Sequence, residues 1–177
     1  MRALALAALP FVLALALLAS LAEAPAAPAP TPEAIVLAEI APPLPRGELA
    51  CLAQTAYHEA RGEGAEGMAA VIHVVLNRTQ AVAWPDTPCE VAMQGAEASR
   101  SGRCQFSWAC DGQADTPRDL SSYTQALILA RDAAMGRLPD PTGGAVMFHA
   151  ERVTPAWTEA AEPTAAIGAH VFYRLDG

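Results

Sequence analysis

Seven prolines crowd into one short stretch of this chain, at positions 25, 28, 30, 32, 42, 43 and 45. Proline has no backbone N–H and a fixed φ, so such a run cannot build a helix or a sheet ladder and behaves as an extended, semi-stiff spacer. Residues 23–47 are therefore read as a Pro/Ala-rich linker, in which Glu33 to Ile40 could form a helical turn or two. Whatever packs a core lies beyond it. Residues 48–177 give room for one compact domain.

Ahead of the spacer, Arg2 precedes an Ala/Leu run from Ala3 to Leu18, and small residues follow. This is the pattern of a secretory signal peptide over residues 1–22, cut after Ala22 or Ala24. The apolar run nearly reaches spanning length, so an uncleaved N-terminal membrane tether is the alternative. Either way the domain is expected to be exported, to the periplasm or cell envelope. Cys51, Cys89, Cys104 and Cys110 all lie past the linker, and an even number in an exported chain points to disulfides. Their spacing leaves all three pairings open. The 11 basic residues, all Arg, face 19 acidic ones for a formal charge of −8. Without basic clusters the chain is not expected to bind nucleic acid, whose affinity rests on neutralising phosphates. A monomer is expected.

Within the domain, Leu49, Leu52, Ala53, Ala56 and Tyr57 recur at helical spacing over Glu48 to Ala60, and Gly62 and Gly64 end the run. Met68, Val71, Ile72, Val75 and Leu76 mark a second helix over 65–80. Residues 81–118 are rich in Pro and Gly and read as loop, carrying Trp84, Phe106 and Trp108. Those rings could stack on sugars or simply be buried. A third helix is predicted over 120–135 with Gly136 as its stop. LPDPTGG (138–144) is a turn, and Ala145–His149 and Ala169–Arg174 read as short strands able to pair. Helices first and a small sheet later predict an α+β domain.

The segment YHEARGE (57–63) places Glu59 near the C-terminal end of a helix. The partial negative charge there disfavours an ionised carboxylate, and partial burial beside Tyr57 acts in the same direction. A carboxyl that stays protonated is what a general acid requires. The plainer alternative is a surface glutamate paired with Arg61 or Arg78. Metal chemistry gains little support, because the His58-Glu59 pair lacks the second histidine of a zinc-protease helix and position 62 is Gly. A scattered zinc site from His58, His149 and His170 is the weaker possibility. No Gly-x-Ser-x-Gly elbow surrounds Ser99, Ser101, Ser107, Ser121 or Ser122.

Five segments in order resemble the SleB-type cell wall hydrolases. They are CLAQTAYHEARGEGAEGMAAVIHVVLNR (51–78), WPDTPCEVAMQ (84–94), CQFSWACDG (104–112), LPDPTGGAVMFHA (138–150) and IGAHVFYR (167–174). The resemblance implies a small lysozyme-like α+β fold, similar to resuscitation-promoting factors and lytic transglycosylases. It implies cleavage of the β-1,4 bond between N-acetylmuramic acid and N-acetylglucosamine in peptidoglycan, with no cofactor and no metal. It makes Glu59 the general acid/base, with Glu63 the alternative, less favoured because it sits among glycines. Gln105, Phe106, Ser107, His149, His170 and Tyr173 fall in matching segments and are candidates for binding the sugar strand. Gly168 is expected to serve backbone geometry.

A lytic transglycosylase needs no second carboxylate, since the muramic acid's own C6 hydroxyl attacks and leaves a 1,6-anhydro end. A hydrolase would need one, and Asp86, Asp111 and Asp140 are the candidates. Two other readings stay open: an N-acetylmuramoyl-L-alanine amidase, and a non-catalytic peptidoglycan-binding factor. Some family members carry a wall-binding domain, whereas here only the Pro-rich spacer precedes the matching segments.

Overall fold

A computed structural model describes residues 44–96 and 104–175. The signal segment and nearly all of the linker, with its Glu33–Ile40 turn, lie outside the described residues. The first helix, α1 (Arg46–Ala60), starts directly after Pro45, two residues before the predicted boundary. It buries Leu49, Leu52, Ala53, Ala56 and Tyr57, the apolar stripe its spacing predicts, and Thr55 and Ala60 besides. A 3₁₀ turn (Arg61–Glu63) follows, and the chain then swings into α2 (Gly64–Thr79). Gly64 takes φ 72° and ψ −162° at that corner, a region open essentially to glycine alone.

Helix α2 is buried on nearly every side from Gly67 to Val75. A helix apolar all round belongs at the centre of a domain. One flank meets α1 and α4 (Leu120–Ala134), and the sheet covers another. Asp119 starts α4 by accepting from the N–H groups of Ser121 and Ser122 at 3.0 and 3.2 Å. The loop-rich region contains one short helix that its composition hides, α3 (Pro88–Ala92), with Thr87 as N-cap and Pro88 in its first turn.

Both disulfides form here: Cys51 joins Cys89 and Cys104 joins Cys110. The first ties α1 to α3. Beside it, Glu48 accepts from the Cys89 N–H at 2.8 Å.

Three antiparallel strands lie in the order β1-β3-β2, with β1 at Met147–Ala150, β2 at Ala161–Ile167 and β3 at His170–Leu175. The predicted pairing of Ala145–His149 with Ala169–Arg174 holds as β1 on the central strand β3, with Met147 opposite Tyr173 and His149 opposite Val171. The additional strand β2 forms a hairpin with β3 across Gly168 and Ala169. Gly168 has φ 58°, the left-handed geometry of a tight hairpin. A small cluster of Ala70, Val74, Ala145, Ile167 and Phe172 seats the sheet on α2. The result is the expected α+β, lysozyme-like architecture.

Two polar residues at the end of α2 fasten the sheet. Asn77 donates to Asp140 and to the Ala145 carbonyl, both at 3.0 Å, and Arg78 Nε donates to the Val146 carbonyl at 2.7 Å. Asp140 in turn accepts from the N–H groups of Thr142 and Gly144, which shapes the LPDPTGG turn.

Candidate active site

The last turn of α1 sets the site. Tyr57 sends its ring into the core, and its hydroxyl accepts from the N–H groups of Arg118 and Asp119, both at 3.1 Å. One residue on, His58 stacks on Trp108 with centroids 5.2 Å apart. The Asp115 carbonyl takes a hydrogen bond from Gln54 at 2.9 Å and lies 3.4 Å from His58 Nε2. These contacts hold residues 107–118 against the helix end and leave a pocket of about 300 Å³. Glu59 lines it together with His58, Ser107, Trp108, Asp111 and Asp115, and Arg61 and Arg118 line it too.

Glu59 is half-buried, and burial raises its pKa above the ordinary carboxylate value. The charge of His170 opposes that rise with a smaller effect. Desolvation of this kind is how a carboxyl keeps its proton towards neutrality. Arg61 instead lies over the Tyr57 ring at 4.9 Å. Arg78 is buried over Trp84 at 4.2 Å, and burial pushes it down to about 9, so it remains a cation at neutral pH. Neither arginine forms an ion pair with Glu59 among the described residues.

Glu63 stands elsewhere. It does not project among open glycines: its side chain is 15% exposed and packs over Gly67 and Gly168. Its Oε1 lies 2.9 Å from His170 Nδ1. The approach is off the line of a hydrogen bond, and both Glu63 Oε2 and His170 Nδ1 are buried without a hydrogen-bond partner.

A cell wall hydrolase family model matches residues 62–173, well over half of the chain. The chain belongs to the cell wall hydrolase family. The matched span begins just after Glu59 and includes Glu63. A spore cortex-lytic enzyme of Halalkalibacterium halodurans is 31% identical over 126 residues, covering 71% of this chain. One of Oceanobacillus iheyensis is 28% identical over 130 residues, covering 72%. The chain spans 34% and 41% of the lengths of these two relatives. Among solved structures, the catalytic domain of Bacillus cereus SleB superposes with a TM-score of 0.57 at 27% identity, covering 73% of this chain and 91% of that one. The catalytic domain of the germination-specific lytic transglycosylase SleB of Bacillus anthracis gives 0.56 at 26%, covering 75% and 98%.

In this cell wall hydrolase domain the other predicted site residues divide. Ser107 is exposed in the pocket with Glu59. Phe106 is 2% exposed and belongs to the core, and Gln105 turns its amide oxygen to the Arg78 guanidinium at 3.1 Å. Of the rings weighed for sugar stacking, Trp84 covers Arg78, and Trp108, which lines the pocket, is 6% exposed and stacked on His58. His149 Nε2 lies 3.0 Å from the Tyr173 hydroxyl, and both rings pack with Trp157 in a second cluster. The three histidines of the scattered zinc possibility thus sit in separate settings, with His58 on Trp108, His149 on Tyr173 and His170 on Glu63. Among the described residues no three His, Cys, Asp or Glu side chains converge as a metal site.

The sequence reading passed over Arg61, Arg118 and Asp115 as site residues. Arg61 was visible inside YHEARGE. The 113–118 stretch carried no signal, because the bond that places it comes from a tyrosine hydroxyl far along the chain.

Proposed function

We propose that this domain cleaves the β-1,4 bond between N-acetylmuramic acid and N-acetylglucosamine in peptidoglycan, with Glu59 as general acid and then base. The observation that carries this reading is a desolvated carboxyl on the wall of a solvent-open pocket at the end of α1. Glu59 gives its proton to the glycosidic oxygen as the bond breaks and positive charge develops at the anomeric carbon. The resulting carboxylate then takes the proton of the muramic acid C6 hydroxyl, which closes on that carbon. The ring closure is intramolecular and gains from proximity. A 1,6-anhydro end results, the outcome of a lytic transglycosylase.

The state of the second carboxylates supports transglycosylation over hydrolysis. Asp111 shares the pocket, but both of its oxygens accept from Gln113, at 2.8 and 3.2 Å. Asp140 is held in its own turn by Thr142 and Gly144, and Asp86 lies outside the pocket. None of these three is free beside Glu59 to activate water; Asp115, which also lines the pocket, is the remaining carboxylate a hydrolase could use.

Ser107 is the binding residue this reading keeps in direct reach of the sugar. His170 acts from the sheet side, and His149 and Tyr173 serve more distant sugars. Gln105 and Phe106 support the groove from beneath. The chain is exported by its N-terminal 22 residues, cleaved or kept as a membrane tether, and works as a monomer in the periplasm or cell envelope.

Incubation with purified peptidoglycan followed by mass spectrometry of the products tests this. Anhydromuropeptides from the native domain and none from a folded Glu59→Gln variant are expected. Free stem peptides would indicate an amidase instead. Near-normal cleavage by Glu59→Gln would sink the assignment of the acid.

A further inference from the structure

Glu63 occupies a place that looks costly. Its carboxylate is largely enclosed, its Oε2 has no hydrogen-bond partner, and its Oε1 lies 2.9 Å from the Nδ1 of His170. Burying such a group without hydrogen bonds is unfavourable, and groups kept this way in a folded protein call for an explanation. The backbone has also made room for it. A Cβ at position 67 would stand 2.5 Å from Glu63 Cβ, and one at position 168 would stand 2.7 Å from Glu63 Cδ, distances that real Cβ atoms do not show. Gly67 lies inside α2, where glycine is about 1 kcal/mol worse than alanine. Two glycines from distant segments therefore enclose one carboxylate, and that carboxylate touches one imidazole.

His170 is confined on its other sides by rings. Phe148 meets it edge-on at 5.1 Å and Phe172 at 6.3 Å. Phenylalanine rings limit where an imidazole can lie but do not select which nitrogen faces which way. A carboxylate at Nδ1 does, and it leaves Nε2, on the far side of the ring, as the nitrogen available to substrate or to Glu59. We propose that Glu63 is a positioning residue that acts through His170, orienting its ring at the sheet side of the sugar groove, and that Gly67 and Gly168 are required to leave the carboxylate its space. Glu63 itself neither donates the proton to the glycosidic oxygen nor touches the sugar. This role rests on the reading of Glu59 as the acid.

A double-mutant cycle on soluble glycan-peptide oligomers, with kcat, KM and Tm measured for each protein, tests the coupling. Glu63→Gln should lower kcat by about 10- to 100-fold, the usual range for loss of an orienting partner, and change KM by less than about twofold. Once His170→Gln is in place, adding Glu63→Gln should lower kcat by no more than about threefold further. Gly67→Ala, placed where alanine suits the helix, should reproduce the kcat loss and should do nothing further in a Glu63→Gly background, where the Cβ it would meet is gone. It carries the same test should Glu63→Gln not fold.

Multiplicative losses in the cycle would overturn the proposal. So would a fall in Tm with kcat unchanged, which is the mark of a purely structural role. A loss in Glu63→Gln as deep as in Glu59→Gln and independent of His170 would make Glu63 the acid and also overturn it. Activity in Glu59→Gln, by contrast, would remove the acid assignment while the cycle still reported whether Glu63 and His170 are coupled.

Discussion

The two sides of the site are built differently. On the helical side, Glu59 and the 107–118 segment stand on a broad core shared by α1, α2 and α4, and both disulfides lie on that side. On the sheet side, Gly168 and His170 stand on a small cluster dominated by Phe172, with no covalent tie among the described residues. The difference suggests a division of labour. Under the proposed function the acid would stand on the broad, disulfide-braced core, and His170 would approach the sugar strand from the smaller, unbraced one.

Removing the covalent brace gives the largest expected effect. Replacing Cys51 and Cys89 together by Ala opens a loop of sequence separation 38. In the chain-entropy model that costs about 4 kcal/mol, against about 2 kcal/mol for the short Cys104–Cys110 loop. Chemical denaturation of the two double variants checks the order, and equal losses would break the contrast drawn above. On the sheet side, Phe172→Ala should cost about 3 kcal/mol and expose the strands first. Hydrogen exchange should then show β1 and β3 opening while α1 and α2 stay protected. Uniform opening would show that the two sides share one stability.

Smaller effects sharpen the picture of the pocket. Tyr57→Phe strips the acceptor from the N–H groups of Arg118 and Asp119 and should cost about 1–2 kcal/mol, together with looser binding of glycan. The smallest concerns Glu59. Its folded pKa is raised by burial, so the native side chain is harmless below its unfolded value of 4.5 and increasingly costly as pH climbs through the folded value. Glu59→Gln should therefore melt at the same temperature as the native domain at pH 4 and slightly higher at pH 8. A variant less stable at pH 8 would mean that the carboxylate is paired rather than desolvated.

Much of this was legible in the sequence. The apolar spacing of α1, α2 and α4 reports directly on buried faces, because each face packs on a broad partner. The lone-carboxyl reasoning led to Glu59 and to its desolvation. Strand β2 was not legible, since AEPTAAI neither alternates nor avoids proline, and its place comes from pairing with β3 across the Gly168 turn. The disulfide pairing needed the position of α3, which lay hidden in a proline-rich stretch. The surroundings of Glu63 were not legible for a related reason. Neighbouring glycines suggest freedom along the chain, whereas here Gly67 and the remote Gly168 create a tight enclosure.

One consequence follows from α2 serving both sides. Its residues Val71, Ile72 and Val75 belong to the helical core, while Ala70 and Val74 belong to the seat of the sheet. Nothing can be trimmed from either side without baring a stripe of that rod to water. An engineer seeking a minimal version of this domain would have to keep α1, α2 and α4 together with all three strands as one indivisible part.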